Sequence, residues 1–200
     1  KKMMGNWRTL WKEPTLPFCI VQLANHDGRQ QSGFPQPLVY PAQPVNSNWA
    51  QLREAQRLVA QADPYAELAC IIDLGETVDI HPWRKKEVVE RVVLCMDRLA
   101  YHQKVDLFPK MVNAVVQGTE ITLTFDQPLR PVSANELEVA GADGRFVNAE
   151  ASVDGKVVTI KSPVSSPKKL RYAWKDDPQR ANLYGFNSLP VAPFEITITN

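Results

Sequence analysis

The sequence predicts an α/β region followed by an all-β region, and two observations carry that expectation. Up to about residue 105 short apolar runs alternate with helical patterns; beyond it come short alternating strands separated by Gly, Asp, Asn and Pro. The first part holds only two strand-like runs, whereas a parallel sheet covered by helices on both faces normally has about five or six strands. The expected organisation is half of a parallel α/β domain over residues 1–105, then an antiparallel β-sandwich over residues 106–200.

Composition agrees with a folded protein. The 200 residues are 44% hydrophobic and 22% charged, which excludes a disordered, collagenous or coiled-coil chain. Lys plus Arg (23) nearly cancels Asp plus Glu (22), and no basic stripe with interleaved aromatics appears, so nucleic acid is not an expected partner. No apolar run approaches the roughly 18–20 residues of a membrane-spanning helix, and residues 1–7 lack the apolar core of a signal peptide. A membrane is not an expected partner either. Cys19, Cys70 and Cys95 are too few and too scattered for a zinc site, their odd number excludes a fully paired disulfide set, and Cys70 and Cys95 read as buried structural thiols.

In chain order, residues 3–11 read as the end of a helix, stopped by Pro14 and Pro17. Residues 18–24, rich in β-formers, read as a buried strand, and residues 25–46 as a long loop with Gly28, Gly33, Pro35, Pro37, Pro41 and Pro44. Asn48 with Gln51 resembles a capping box, after which Trp49, Leu52, Ala55, Val59 and Ala62 recur at helical spacing until Asp63-Pro64. Residues 68–74 read as a second buried strand. From Trp83 to about Tyr101, the rows Val88-Val92-Cys95-Leu99 and Val89-Val93-Met96-Ala100 predict a helix with a broad buried face and a Glu87–Arg91 pair on its wet side. In the second part, residues 111–116, 120–125, 136–139, 145–153, 156–161, 169–172 and 194–199 give about seven strands, with Asp-Gly turns at Asp143-Gly144 and Asp154-Gly155.

Open α/β sheets bind ligands outside the carboxyl ends of their strands, which is where residues 75–82 leave the second strand. Asp79 stands two residues before His81 there, and an imidazole held by a carboxylate can take a proton from a hydroxyl and return it to a leaving group. The plainer alternative is that His81 and Asp79 cap the following helix. His26 sits in a polar loop with Asp27, and His102 at a helix end; neither is a leading candidate.

The run Asp73-Leu74-Gly75-Glu76-Thr77-Val78-Asp79-Ile80-His81-Pro82, with Lys86 and Arg91 after it, resembles the histidine block of the sialate O-acetylesterases, members of the SGNH (GDSL-like) hydrolases. Trp7-Arg8 with Leu10-Trp11, Val21-Gln22-Leu23-Ala24 and residues 49–56 resemble the same family. So do Arg171-Tyr172-Ala173-Trp174, Asn182-Leu183-Tyr184 and residues 189–194. The resemblance implies the C-terminal half of an SGNH-type parallel sheet with a β-sandwich behind it. It implies removal of O-acetyl groups from sialic acids, His81 as general base and Asp79 as the residue that orients it. The wider superfamily places the aspartate three residues before the histidine, where this chain has Val78, so a backbone carbonyl or Glu76 is an alternative orienter.

The family's serine nucleophile and oxyanion-hole residues lie in blocks upstream of those matched here, and none of this chain's serines, Ser32 included, has an SGNH-type setting. The chain alone is therefore expected to be inactive and to partner the N-terminal part of the same protein. Arg53, one turn from Arg57, is a candidate ligand for a sialic acid carboxylate, against the alternative of a solvated face. Asn25, opening the long loop at the site mouth, is a second candidate for substrate binding. No metal or organic cofactor is implied, and export is implied by the resemblance alone. A non-catalytic carbohydrate-binding module is the alternative, with Tyr172, Trp174, Tyr184 and Phe186 as its platform; a cysteine hydrolase using Cys19 or Cys70 is a third.

Overall fold

The computed structural model of the protein describes residues 1–27 and 40–198. The first part contains α1 (Lys2–Trp11), β1 (Phe18–Val21), α2 (Asn48–Gln61), β2 (Ala66–Ala69) and α3 (Lys85–Leu99). β1 and β2 pair in parallel, Phe18 opposite Ala66 through Val21 opposite Ala69, and form a two-stranded sheet. α3 packs on both strands and α2 on β2. The second strand starts at Ala66 and leaves its ladder after Ala69, earlier than its apolar run suggests. The ladder's last pair is Val21 with Ala69, and its last rung is Gln22 N–H to the Ala69 carbonyl (3.0 Å). Cys70, Ile71, Ile72 and Leu74 are nevertheless buried, in a turn rather than a strand.

Both amphipathic helices differ from expectation in the face they bury. In α2 the buried residues are Ala50, Arg53, Glu54 and Ala60, while Leu52 and Leu58 are about half exposed. Its cap is Ser47, not Asn48: the Ser47 hydroxyl accepts from Ala50 N–H at 2.8 Å, leaving Asn48 as the first helical residue. In α3 Cys95 is the buried residue, Val92 and Leu94 pack beside it, and Val89 (58% exposed) and Val93 (49%) face away. Two strands are too narrow to cover a second row. Arg91 is not on a wet side with Glu87; it reaches inward to Asp73 (2.5 and 2.8 Å) and to the Cys70 carbonyl (2.7 Å), holding the exit from β2.

The second part contains β3 (Met111–Gln117), β4 (Glu120–Phe125), β5 (Ser133–Ala134), β6 (Leu137–Ala140), β7 (Phe146–Asn148), β8 (Glu150–Asp154), β9 (Val157–Lys161), β10 (Lys169–Tyr172) and β11 (Phe194–Thr197). They form two antiparallel sheets, β11-β10-β6-β7 and β3-β4-β9-β8-β5. The run 145–153, read as one strand, is two: β7 pairs with β6, and after Ala149 the chain changes sheet so that β8 pairs with β9. One apolar core lies between the sheets, with Ile121, Leu123 and Phe125 of β4 and Val158 and Ile160 of β9 meeting Leu137, Val139, Leu170 and Phe194. A second core surrounds the parallel pair. Leu107, Phe108 and Ala192 join Leu68, Cys70 and Cys95 there.

Asp63, just after α2, ties α1 to this core. Arg8 donates to both its oxygens (2.7 and 3.1 Å) while its guanidinium lies over the Phe18 and Tyr65 rings at 5.2 and 5.7 Å. The hydrogen bonds from Arg8 hold the Asp63 carboxyl below the usual carboxylate range. A carboxyl lowered by folding stabilises above its unfolded pKa, near 4, and that stabilisation is lost as pH falls through the folded value. Asp63→Asn is therefore expected to cost about 1 kcal/mol at pH 7. It should also flatten the decline in stability on acidification, measured by urea midpoints between about pH 6 and 2. An undiminished acid dependence in the variant would assign that decline to other groups.

Candidate active site

The loop after β2 begins with a backbone approach that only glycine allows. Gly75 N–H donates to Asn25 Oδ1 (2.7 Å), and a Cβ on Gly75 would overlap the Asn25 carbonyl oxygen and lie 2.9 Å from Ala24 Cβ. Gly75→Ala is expected to push the 75–81 loop off residues 24–25 and to lower stability by about 1–3 kcal/mol, read from a urea titration. An unchanged midpoint would show that the loop yields freely.

Further along, Asp79 organises the turn that presents His81. Asp79 Oδ1 accepts from the His81 backbone N–H (2.8 Å) and stands 3.1 Å from His81 Nδ1, and Oδ2 accepts from Trp83 Nε1 (3.4 Å). The backbone hydrogen bond from His81 is the main cause of a carboxyl held below the usual range, so Asp79 is ionised at neutral pH. An ionised carboxylate only accepts hydrogen bonds. Nδ1 of His81 is then the donor in this contact, and Nε2 takes no part in it. The imidazole is 82% exposed, outside the cavities that flank its loop. Neither residue caps a helix: α3 starts at Lys85, with Arg84 at its N-cap. The Glu76 carbonyl lies 3.4 Å from His26 Nδ1.

Arg53 stands elsewhere, and in a different role from the one its sequence suggests. Its side chain is fully buried and donates to four backbone carbonyls: Nε to Leu23 (2.9 Å), Nη1 to Lys175 (2.7 Å), and Nη2 to Ala24 and Asp176 (2.7 Å each). Burial pulls its pKa down to about 9, so the cation persists at pH 7. With four of five N–H groups committed, it neither clamps a substrate carboxylate nor lies on a solvated face. Arg57 is likewise engaged, with Glu54 at 2.6 and 2.7 Å.

Asn25 is also committed on both sides, accepting from Gly75 and donating to Asp177 Oδ1 (2.8 Å). It ties the loop and also lines one of the cavities beside it. Residues 175–179, which sequence reasoning did not single out, grip both loops at the strand ends. Asp176 accepts from His26 N–H through its carbonyl (3.2 Å) and from the Ser47 hydroxyl through Oδ1 (2.5 Å); Gln179 donates to Thr77 Oγ1 (2.6 Å). On the two sides of this grip lie cavities of about 280 Å³, which Tyr40 and Lys175 line, and about 300 Å³, which Asn25, Asp73 and Tyr184 line.

Over nearly its whole length the chain has a solved counterpart. It is similar to a carbohydrate acetylesterase. The match is to a crystal structure of such an enzyme from Xanthomonas citri, with 34% sequence identity and a TM-score of 0.81. It covers 96% of this chain and 43% of that protein, so the chain spans less than half the length of its neighbour. No protein-family model and no curated protein sequence matches the chain.

Other candidates fall as follows. Tyr172 and Trp174 are buried, the Tyr172 hydroxyl accepting from Leu183 N–H, so these aromatics do not form one exposed sugar-stacking platform. Burial pushes the Cys70 thiol up to about 12, unsuited to a nucleophile. Ser32 and most of the long loop lie outside the described residues. Among the described residues, no group of three or more His, Cys, Asp or Glu could hold a metal, and no helix is long and apolar enough to cross a membrane.

Proposed function

We propose that this chain is the histidine-bearing part of a carbohydrate acetylesterase that removes O-acetyl groups from sialic acids by SGNH-type Ser-His-Asp chemistry. The observation that supports it most is the ordered Asp79–His81 pair, on the loop leaving the C-terminal end of β2, in a chain 34% identical to an acetylesterase. In this reading a serine from a further segment attacks the acetyl carbonyl while His81 Nε2 takes its proton. Asp79 steadies the imidazolium, and His81 returns the proton to the departing sugar oxygen. Water, deprotonated by the same Nε2, then attacks the acyl-serine and releases acetate.

The further segment, the N-terminal part of the same protein, supplies the nucleophile and oxyanion donors and extends the sheet from β1. In support, β1 has only β2 beside it among the described residues, and its last residue, Val21, is 41% exposed. Residues 106–200 serve as an accessory β-sandwich whose 175–179 segment steadies the strand-end loops. Export belongs to the same proposal and rests on the family resemblance.

The test is acetate release by the complete protein from O-acetylated sialic acids and from acetylated neutral sugars. Release from the sialic acids is expected, and none from the 200-residue chain alone. Release from neutral sugars only would remove the sialate assignment and keep the esterase; release from neither would overturn the reading.

A further inference from the structure

Two cavities meet at Tyr40, Pro41 and Lys175. The one of about 280 Å³ beside the His81 loop has Thr77 and Asp177 in its lining together with these three residues. The same three also line a larger cavity, of about 600 Å³, whose other walls come from the β-sandwich. That volume is within the range of small-molecule sites. The shared wall is held from below: Lys175 Nζ donates to Glu136 and, at 3.4 Å, to Glu138, and the Tyr40 hydroxyl also donates to Glu136.

The lining of the sandwich cavity suits a ligand rich in hydroxyls and without charge. Register sets Ser133 of β5 opposite Ser152 of β8, and Ser152 opposite Thr159 of β9, so three hydroxyls stand in one row on one face of the sheet. Asn135 and Asn148 add amides, and Asn148 Nδ2 donates to the Ala42 carbonyl (2.8 Å), which orients it. Hydroxyls and amides both donate and accept, as sugar hydroxyls do. Charge in the lining is nearly balanced. Lys175 is buried against Glu136, Lys161 stands opposite Glu150 in register, and the Arg180 guanidinium lies over the Tyr40 ring at 4.3 Å. No single sign dominates strongly enough to select an anion.

We propose that the sandwich cavity binds a neutral sugar unit. In the esterase reading, on which its place in the reaction rests, that unit neighbours the acetylated sugar in a glycan chain. The chain runs from the His81 loop past Tyr40 and Pro41, whose rings offer apolar surface to a sugar's C–H face, and on to the row of hydroxyls. The preferred substrate is then an acetylated oligosaccharide rather than a free acetylated monosaccharide, and residues 106–200 contribute to substrate choice as well as to support of the loops.

Two measurements on the complete protein test this. Calorimetry with sialyllactose, lactose and maltotriose, none of them O-acetylated, reads the cavity without any chemistry. At least one is expected to bind, and Ser152→Trp, which brings an indole into the cavity from an exposed strand position, should weaken that binding about tenfold or more. Acetate release reads its place in the reaction: kcat/KM for the acetylated sugar that the protein hydrolyses should be about tenfold or more higher when that sugar is linked to lactose than when it is free, and the ratio should fall to about one in Ser152→Trp. Asn135→Ala, a smaller change at an exposed residue, should weaken binding and lower the ratio about threefold, and it serves if the tryptophan variant does not fold. Binding of none of the three sugars, or binding that both variants leave unchanged, would overturn the sugar site, and a ratio near one in the parent would overturn its place in the reaction. A protein that binds the sugar in this cavity but releases no acetate from any substrate would keep the site and overturn the esterase reading instead.

Discussion

Replacing His81 with alanine in the complete protein is expected to lower kcat for acetate release by about 10³-fold or more while leaving stability within about 0.5 kcal/mol. The two halves of that expectation come from the same geometry. Its imidazole is 82% exposed and bonded only locally, to Asp79, so the fold loses little with it. Its Nε2, by contrast, takes no part in that contact and is the atom proposed to move the proton. Asp79→Asn is expected to cost at least about 10²-fold, because an amide turned with its N–H₂ toward Nδ1 selects the wrong tautomer. A loss as large as that of His81→Ala assigns the orienting role to Asp79 outright. Activity of His81→Ala within a few-fold of the parent would remove His81 from the mechanism.

How far the sequence exposes this architecture depends on the kind of interaction. Periodicity located α2 and α3, and prolines marked the ends of α1 and α2, because those signals are local. It misjudged which face of α2 and α3 is buried, since apolarity at Leu52, Val89 and Val93 does not say whether a partner surface stands opposite. The change of sheet at Ala149 carries no Gly or Pro, so 145–153 reads as one strand until the pairing of each half is seen. In the site, the aspartate two residues before a histidine was legible as a carboxylate–imidazole pair because the two are close in the chain; the turn that Asp79 closes on the His81 backbone N–H was not. The Arg53 network was not: two of its acceptors, the Lys175 and Asp176 carbonyls, lie 122 and 123 residues away and are backbone atoms, to which no residue type corresponds. An arginine in the same helical row as Ala50 and Ala60 was the available clue.

Removing that arginine is expected to have the largest effect on stability. In Arg53→Ala the Leu23, Ala24, Lys175 and Asp176 carbonyls lose their shared donor inside a buried junction. At about 1 kcal/mol or more for each acceptor left unmade, the loss is about 3–5 kcal/mol, a large part of the stability of a typical domain. Arg53→Lys should recover little of it, because one ammonium on a flexible stem cannot span four acceptors that a planar guanidinium reaches at once. The damage should also be directional. Ala24 precedes Asn25, whose side chain holds Gly75, and Asp176 precedes Asp177, which holds Asn25, so both ends of the tie on the His81 loop loosen together. Urea denaturation of Arg53→Ala and Arg53→Lys, with hydrogen exchange at Gly75 and Asp27, checks this. A midpoint shift worth less than about 1 kcal/mol would mean that water replaces the guanidinium, and that the packing around Ala50 and Ala60 holds the junction by itself.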